Sequence, residues 1–314
     1  MSIAVPLYGF GASGGTGGSL TVTAPANVTV TVSKGGKTKT KNSGVSGVAV
    51  FKGLKSGTWT VTITDGEQTA SKSVDITTDY SVLMSFSTIP SFTYTGDYEI
   101  VDDDDNPITV SDGNWKIRFL TSGTLTFTEL NGAENGIDVF LVGGGGNGSD
   151  SYWNPDSSMN MPGAGGGGGY TATNAGVSVQ LGKTYQIVVG SAGGNTTAFS
   201  FTAACGKNAT KTSRGWADGG DGGSGGGGCY GTGGTDGADG VGSTYTNAGK
   251  GQGTTTREFG DANGTLYSTG GDGGKGTAGK QNTGNGGAGA KNDGSSGGSG
   301  GSGIVIIRNA REAA

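Results

Sequence analysis

The sequence predicts an all-β protein: a small N-terminal β-sandwich, then a second β-sandwich with an inserted bundle of polyglycine-II helices, and essentially no α-helix. Three observations predict it. Short runs of β-branched and aromatic residues alternate with Thr, Ser and Lys, the two-residue period of half-buried strands. Glycine supplies 71 of 314 residues, where an ordinary chain has about 7%. No stretch repeats apolar residues with the 3.6-residue period of an amphipathic helix.

Residues 1–18 are apolar and then Gly/Ser-rich, which predicts an attachment arm and a linker. They lack the basic start and long apolar core of a secretory signal, so synthesis in a cytoplasm is expected. No apolar run reaches the roughly 20 residues of a membrane span. From residue 19 to 87, Leu20, Val22 and Ala24, then Val28, Val30 and Val32, then Val48 and Val50, then Trp59, Val61 and Ile63 alternate with polar residues. Turn residues at Lys34-Gly35-Gly36-Lys37, between Gly53 and Gly57, and at Asp65-Gly66 predict hairpin connections between these runs. Lys34, Lys37, Lys39 and Lys41 read as the solvated face of a protected sheet edge.

The second sandwich is expected over 88–314. Phe92, Tyr94 and Tyr98 precede an acidic turn, Asp102, Asp103, Asp104 and Asp105, closed by Asn106-Pro107. Those carboxylates are weak calcium candidates, because they lack the alternating spacing and distal Glu of a calcium loop, and a solvated turn is the preferred reading. Trp115, Ile117 and Phe119, a turn at residues 121–124, and Leu125 and Phe127 predict another hairpin. A dense apolar strand from Ile137 to Val142 runs straight into Gly143, and further strands fall at 170–181, 184–190, 199–203 and 303–308.

The glycines have their own period. G-G-D-G-G-S-G-G from Gly219, G-G-D-G-G-K-G from Gly270 and G-G-S-G-G-S-G from Gly297 repeat every three residues, the repeat of a polyproline-II-type helix. Such a helix has no internal hydrogen bonds, so its donors and acceptors must be met by neighbours, and glycine permits the close approach. Collagen does not fit, with 6 prolines in the chain and a triplet phase that breaks repeatedly. Short antiparallel polyglycine-II helices are expected at about 143–169 and 217–303.

Composition narrows the chemistry. A net charge of -5 argues against nucleic-acid binding, and the absence of His removes the usual general base and metal ligand, so no cofactor and no enzymatic activity is expected. The enzyme alternative is a glycan depolymerase using two carboxylates from among Asp102 to Asp105, Asp218, Asp221 and Glu258, with no spacing that marks a pair. Cys205 and Cys229 leave two readings open, a disulfide or two free thiols. Aromatic and Arg side chains interrupt the glycine tracts at Tyr152, Trp153 and Asn154, at Arg214 and Trp216, and at Tyr230, Tyr245, Phe259 and Tyr267. These are the candidate ligand-binding residues, since rigid rings give contact area at small entropy cost; the competing reading makes them small local cores at the bundle ends.

Two stretches resemble known families. T-V-T-V-S-K-G-G-K-T and G-V-A-V-F-K-G-L-K-S-G-T-W-T-V-T-I-T-D-G resemble the immunoglobulin-like or transthyretin-like modules of bacterial surface and phage tail proteins, which are spacers. The order I-D-V-F-L-V-G-G-G-G, G-A-G-G-G-G-G-Y-T, G-K-T-Y-Q-I-V-V-G-S-A-G-G and G-G-S-G-G-S-G-I-V-I-I-R, over about 91–308, resembles the glycine-rich domain of phage and prophage tail proteins. That resemblance implies a virion fibre or tail protein that binds a host cell-surface glycan or protein, joined to other virion proteins through its N-terminal region, with a homotrimer as the fibre analogy. The alternative is a purely structural tail, baseplate or head-decoration protein. No membrane insertion is implied.

Overall fold

Alternation of small apolar and hydroxyl-bearing residues does build strands throughout. In a computed structural model of the protein, the described residues are 17–66, 69–84, 86, 89–109, 113–211, 216–233 and 256–311. The chain divides into two compact units, Met1–Ser87 and Thr88–Ala314. The expected attachment arm lies outside the described residues except for Gly17 and Gly18.

Among the described residues the first unit has seven strands: β1 (Leu20–Thr23), β2 (Thr29–Lys34), β3 (Lys37–Asn42), β4 (Val48–Phe51), β5 (Gly57–Thr64), β6 (Thr69–Ile76) and β7 (Tyr80–Leu83). They form one sheet in the order β4-β1-β7 and another in the order β3-β2-β5-β6. Every second residue points inward, so Leu20, Val22, Val30, Val32, Val61, Ile63 and Ile76 are buried in one core around Phe51 and Trp59. The glycine turns at 35–36 and 65–66 close hairpins, β2 on β3 and β5 on β6. The turn at 53–57 does not. There β4 pairs with β1 while β5 pairs with β2, so the chain crosses between sheets, with Leu54 buried in the crossing as its anchor.

The second unit contains β8 (Phe92–Tyr94), β9 (Tyr98–Val101), β10 (Lys116–Phe119), β11 (Gly123–Phe127), β12 (Ile137–Val142), β13 (Tyr152–Asn154), β14 (Met159–Met161), β15 (Thr171–Val177), β16 (Thr184–Val188), β17 (Thr196–Ala198), β18 (Phe201–Ala203), β19 (Thr210–Lys211), β20 (Ala217–Asp218) and β21 (Ile304–Asn309). Two five-stranded sheets, β15-β12-β21-β10-β9 and β18-β17-β16-β11-β8, enclose a core that includes Trp115, Ile117, Phe119, Phe127, Val139 and Ile307. The expected hairpin of β10 and β11 is corrected: β10 pairs with β9 and β21, β11 with β8 and β16. Residues 120–122 step from one layer to the other, which keeps the inward residues of both strands in the shared core. The last strand, β21, returns across the whole inserted half of the chain to lie between β12 and β10.

β12 and β21 are buried on both faces. Val139, Leu141, Val305 and Ile307 face the sandwich core, and Phe140, Val142, Ile304 and Ile306 form a second cluster on the outer face of their sheet. Strands covered on both sides read as continuous apolar runs, as I-D-V-F-L-V and I-V-I-I-R do.

The glycine tracts between these strands pack as laterally bonded helices with a three-residue register. Gly143, Gly146 and Ser149 donate to the carbonyls of Tyr170, Gly167 and Ala164, so the two segments run antiparallel, each step three residues long. Gly169, Gly166 and Gly163 likewise donate to Gly284, Gly287 and Ala290. Neighbours are not all antiparallel, which corrects the expectation. Gly287 and Ala290 donate to Gly146 and Ser149 in parallel register, as do Gly220 and Gly223 to Gly165 and Gly168. A three-residue turn points one donor in three at each neighbour, and it serves parallel and antiparallel partners alike.

Segment 163–169 is the axis of this bundle. Its amides and carbonyls bond to six surrounding stretches, at Gly146 and Ser149, Lys207, Gly220 and Gly223, Ser224 and Gly227, Gly271 and Gly274, and 284–290. All seven of its residues are buried, and it holds the unbroken run Gly165 to Gly169. No side of this helix faces outward, so no position has room for a side chain larger than that of Ala164. A Cβ added at Gly165, Gly166, Gly167, Gly168 or Gly169 would fall within 3.0 Å of a neighbour's carbonyl oxygen. Surrounding stretches interrupt their glycines with Asp221, Ser224, Asp272 or Lys275, while 143–146 and 225–228 remain unbroken glycine runs.

Candidate binding surface

The register fixes which loops gather at each end of the bundle. Segment 143–149 leaves the sheet end of β12, and 297–303 returns antiparallel to it into β21, with Gly145 and Gly148 bonded to Gly301 and Gly298. The end near 149, 163, 274 and 290 is therefore the one remote from the sheets. Gathered there are the β13–β14 hairpin, the β19–β20 hairpin, the loop after Gly227, and the turns at 274–276 and 291–296.

The β13–β14 hairpin pairs Tyr152 with Met161, Trp153 with Asn160 and Asn154 with Met159. Trp153 is 55% exposed and Met159 57%. Cross-strand partners share a face, so these two side chains stand on opposite faces of the ribbon. Asn154 accepts the Asp156 amide at 3.0 Å, which stiffens the hairpin turn. Below the hairpin, Ser151 donates to the Ser295 carbonyl and Asp150 accepts the Gly297 amide at 3.0 Å. Lys211 of β19 stands 4.0 Å from the Asp150 carboxylate. Trp216, 46% exposed, precedes β20 and lies at the same end. Tyr230 is half-buried against Ala164, Ala217 and Cys229, with φ of 55°. Asp150 and Lys211 were not singled out by the sequence, because only the folded register brings residues 61 positions apart together.

Phe259 and Tyr267 are a correction. Both are buried, 5.6 and 5.5 Å from the Phe140 ring, and they cover the outer face of β12 and β21 as a local core. The 256–268 stretch that carries them is clasped by charge. Glu258, itself buried, takes Lys116 at 3.0 Å and Arg118 at 3.3 Å, and accepts the Tyr267 hydroxyl at 3.2 Å. Arg308 bonds Asp138 at 3.1 Å and Asp261 at 2.6 Å and lies 4.0 Å from the centre of the Phe259 ring. Arg214 and Tyr245 lie outside the described residues.

The acidic turn is engaged rather than open. Asp105 meets Lys116 and Arg118, each at 2.5 Å, and Asp103 meets Arg311. Asp102 turns back to the Asn106 amide at 2.8 Å. Partial burial raises the Asp105 pKa, but the hydrogen bonds and charges of Arg118 and Lys116 outweigh it and hold the carboxyl below its ordinary range. Among the described residues no group of three or more Asp, Glu, Cys or His side chains is placed to hold a metal ion. Asp218 accepts both the amide and the hydroxyl of Thr232, at 2.7 and 3.0 Å.

Both cysteines are free thiols, so the disulfide reading is corrected. Ala204 lies opposite Tyr170 and Gly227 opposite Gly165 along the central helix. At about 3.1 Å per residue that sets Cys205 and Cys229 roughly 20 Å apart, against the 4.4 to 6.8 Å between Cα atoms that a disulfide spans. Burial pushes the Cys229 thiol up to about 11.

A main-chain-bonded glycine bundle set in a β-sandwich, with aromatic loops at its free end, defines a glycine-rich scaffold that displays loops. The chain belongs to the family described as "Glycine-rich domain", whose model matches residues 120–310. Among solved structures, a DUF3823 family protein from Parabacteroides merdae is similar at 12% identity and a TM-score of 0.22, covering 60% of this chain and 96% of that one. No curated protein matched. No helix of the described residues is long and apolar enough to cross a membrane.

Proposed function

We propose that the chain is a phage or prophage fibre or tail protein that attaches to a host cell surface through the loop end of its glycine bundle. The observation that carries this reading is the gathering of Trp153, Met159 and Trp216, all exposed, at the end of the bundle remote from the sheets. Rings held on short, hydrogen-bonded hairpins are pre-organised, so contact with a sugar face or a surface protein costs little ordering entropy. The resemblance of the second unit to phage tail domains supports a virion location.

The test is a binding assay of the fluorescently labelled full chain on a panel of bacterial strains. Against a strain that binds it, the double variant Trp153→Ala with Trp216→Ala should weaken binding by about tenfold or more, the loss of two aromatic anchors worth about 2 kcal/mol or more together. Thermal unfolding should stay unchanged, because both rings are exposed. Undiminished binding of the double variant would remove the loop end from the attachment site.

A further inference from the structure

The first unit carries a charge pattern that its role as a spacer does not use. Residues 1–87 hold seven lysines against four carboxylates, while the rest of the chain holds thirteen cations against twenty-one carboxylates. Six of those seven lysines fall between Lys34 and Lys55, a stretch without a single Asp or Glu. Lysines that only protect a sheet edge need sit on the edge strand alone. Here Lys37 and Lys39 of the edge strand β3, Lys34 at the end of β2, which is the cross-strand partner of Lys37, and Lys55 from the β4–β5 connection together line a groove of about 870 Å³. Its remaining lining is Gly35, Thr38, Gly53, Ser56 and Trp59, with no carboxylate.

Two of the four groove ammonium groups are held in place by main-chain oxygens. Lys34 donates to the Ser56 carbonyl, and Lys39 to the Lys52 carbonyl at 3.0 Å. Just outside the groove, Lys41 donates to the Val50 carbonyl at 2.6 Å. An ammonium has three donors, so one bond fixes the group and the others remain for a ligand. None of the four groove lysines forms an ion pair among the described residues. The volume is that of a site for an oligosaccharide of a few sugars, with the buried Trp59 forming part of its wall.

We propose that this groove binds an anionic oligosaccharide, one bearing phosphate or carboxylate groups, as a site separate from the aromatic loop end. Its ammonium ions are point charges suited to either anion, and a chain of net charge -5 would otherwise repel such a ligand.

The experiment titrates the full chain with three probes: the phosphorylated core oligosaccharide of a lipopolysaccharide, an oligogalacturonate, and a neutral dextran oligosaccharide. At least one anionic probe should bind and dextran should not; which one binds distinguishes phosphate from carboxylate. Raising the salt from about 50 to about 300 mM should weaken that binding about tenfold, since exposed charges are screened over a few ångströms at the higher value. The pair Lys37→Gln with Lys55→Gln, both exposed positions, should lower affinity about tenfold or more, whereas Lys72→Gln, on β6 and outside the groove, should leave it within about twofold. The double variant Trp153→Ala with Trp216→Ala should bind the probe as the parent does, which separates this site from the loop end. Absence of binding by both anionic probes at low salt, or an equal loss in Lys72→Gln, overturns the proposal.

Discussion

Replacing Gly166 by Ala tests whether the bundle is held by its main chain. A Cβ at this position would meet the Gly146 carbonyl closer than 3.0 Å, in a helix that cannot turn away because it continues from β12. Relieving the overlap requires segment 143–149 to retreat by about 1 Å, and packed interiors absorb such shifts poorly. That retreat acts on three lateral bonds, Gly143 to Tyr170, Gly146 to Gly167 and Ser149 to Ala164, now 2.8 to 2.9 Å long. A stretch of about 1 Å takes each beyond hydrogen-bonding range. At about 0.5 to 1.5 kcal/mol apiece the loss is about 1.5 to 4.5 kcal/mol, offset by about 0.4 to 1 kcal/mol for the stiffer unfolded chain. The expected net cost is about 0.5 to 4 kcal/mol, and its midpoint near 2 kcal/mol is roughly 4 to 8 °C in the melting of a unit this size, read by differential scanning calorimetry. Two controls separate crowding from backbone conformation. Gly182→Ala has open space but a φ of 71°, and should cost about 1 to 2 kcal/mol. Gly113→Ala has open space and no left-handed backbone, and should be neutral or slightly stabilising. If Gly166→Ala melted with Gly113→Ala, lateral main-chain bonding would not be what holds the bundle.

The thiols give a second check: in the native protein a thiol reagent at about pH 8 should label Cys205 far faster than Cys229, whose burial disfavours the thiolate, and denaturant should equalise them. A single fast phase for both in the native state would contradict the packing around Ala164 and Ala217. The acid limb of the stability curve gives a third. Because the folded pKa of Asp105 lies below its unfolded value near 3.9, its pairing contributes fully above that value and is lost as pH falls through the folded pKa. Asp105→Asn should therefore flatten the loss of stability below about pH 4 while lowering stability at neutral pH, as followed by urea unfolding at stepped pH. Equal acid limbs for the variant and the parent would exclude the ion pairs with Lys116 and Arg118 as a source of stability.

The strands were legible because their period is local. Val30, Val32, Val61 and Ile63 declare an inward face through their immediate neighbours, and the dense run from Ile137 to Val142 declares a strand buried on both sides. The bundle was legible from glycine triplets for the same reason. What sequence left open was partnership. A glycine turn at 53–57 has the composition of a hairpin and makes a crossing, since the choice depends on which strands β4 and β5 find. Antiparallel and parallel helix pairs demand the same triplets, so the mixed bundle carried no distinguishing mark. Phe259 and Tyr267 looked like Trp153, each an aromatic in a glycine-rich loop. They are buried because Phe140 and Ile306, more than a hundred and some forty positions away respectively, leave an apolar face that needs covering. The exposure of Trp153 follows from the opposite circumstance, a hairpin at the end where no sheet arrives.

The central helix, enclosed on six sides by other backbones, also sets how stability responds to temperature. Unfolding an ordinary domain wets apolar surface and raises the heat capacity, which bends its stability curve into a narrow dome; wetting peptide groups lowers it. Segment 163–169 and its neighbours bury amides and carbonyls in place of hydrocarbon, so their contribution opposes that of the Phe119 and Ile307 core. The second unit should accordingly have a smaller heat-capacity change per residue than the first, and a stability that varies little between cold and warm surroundings.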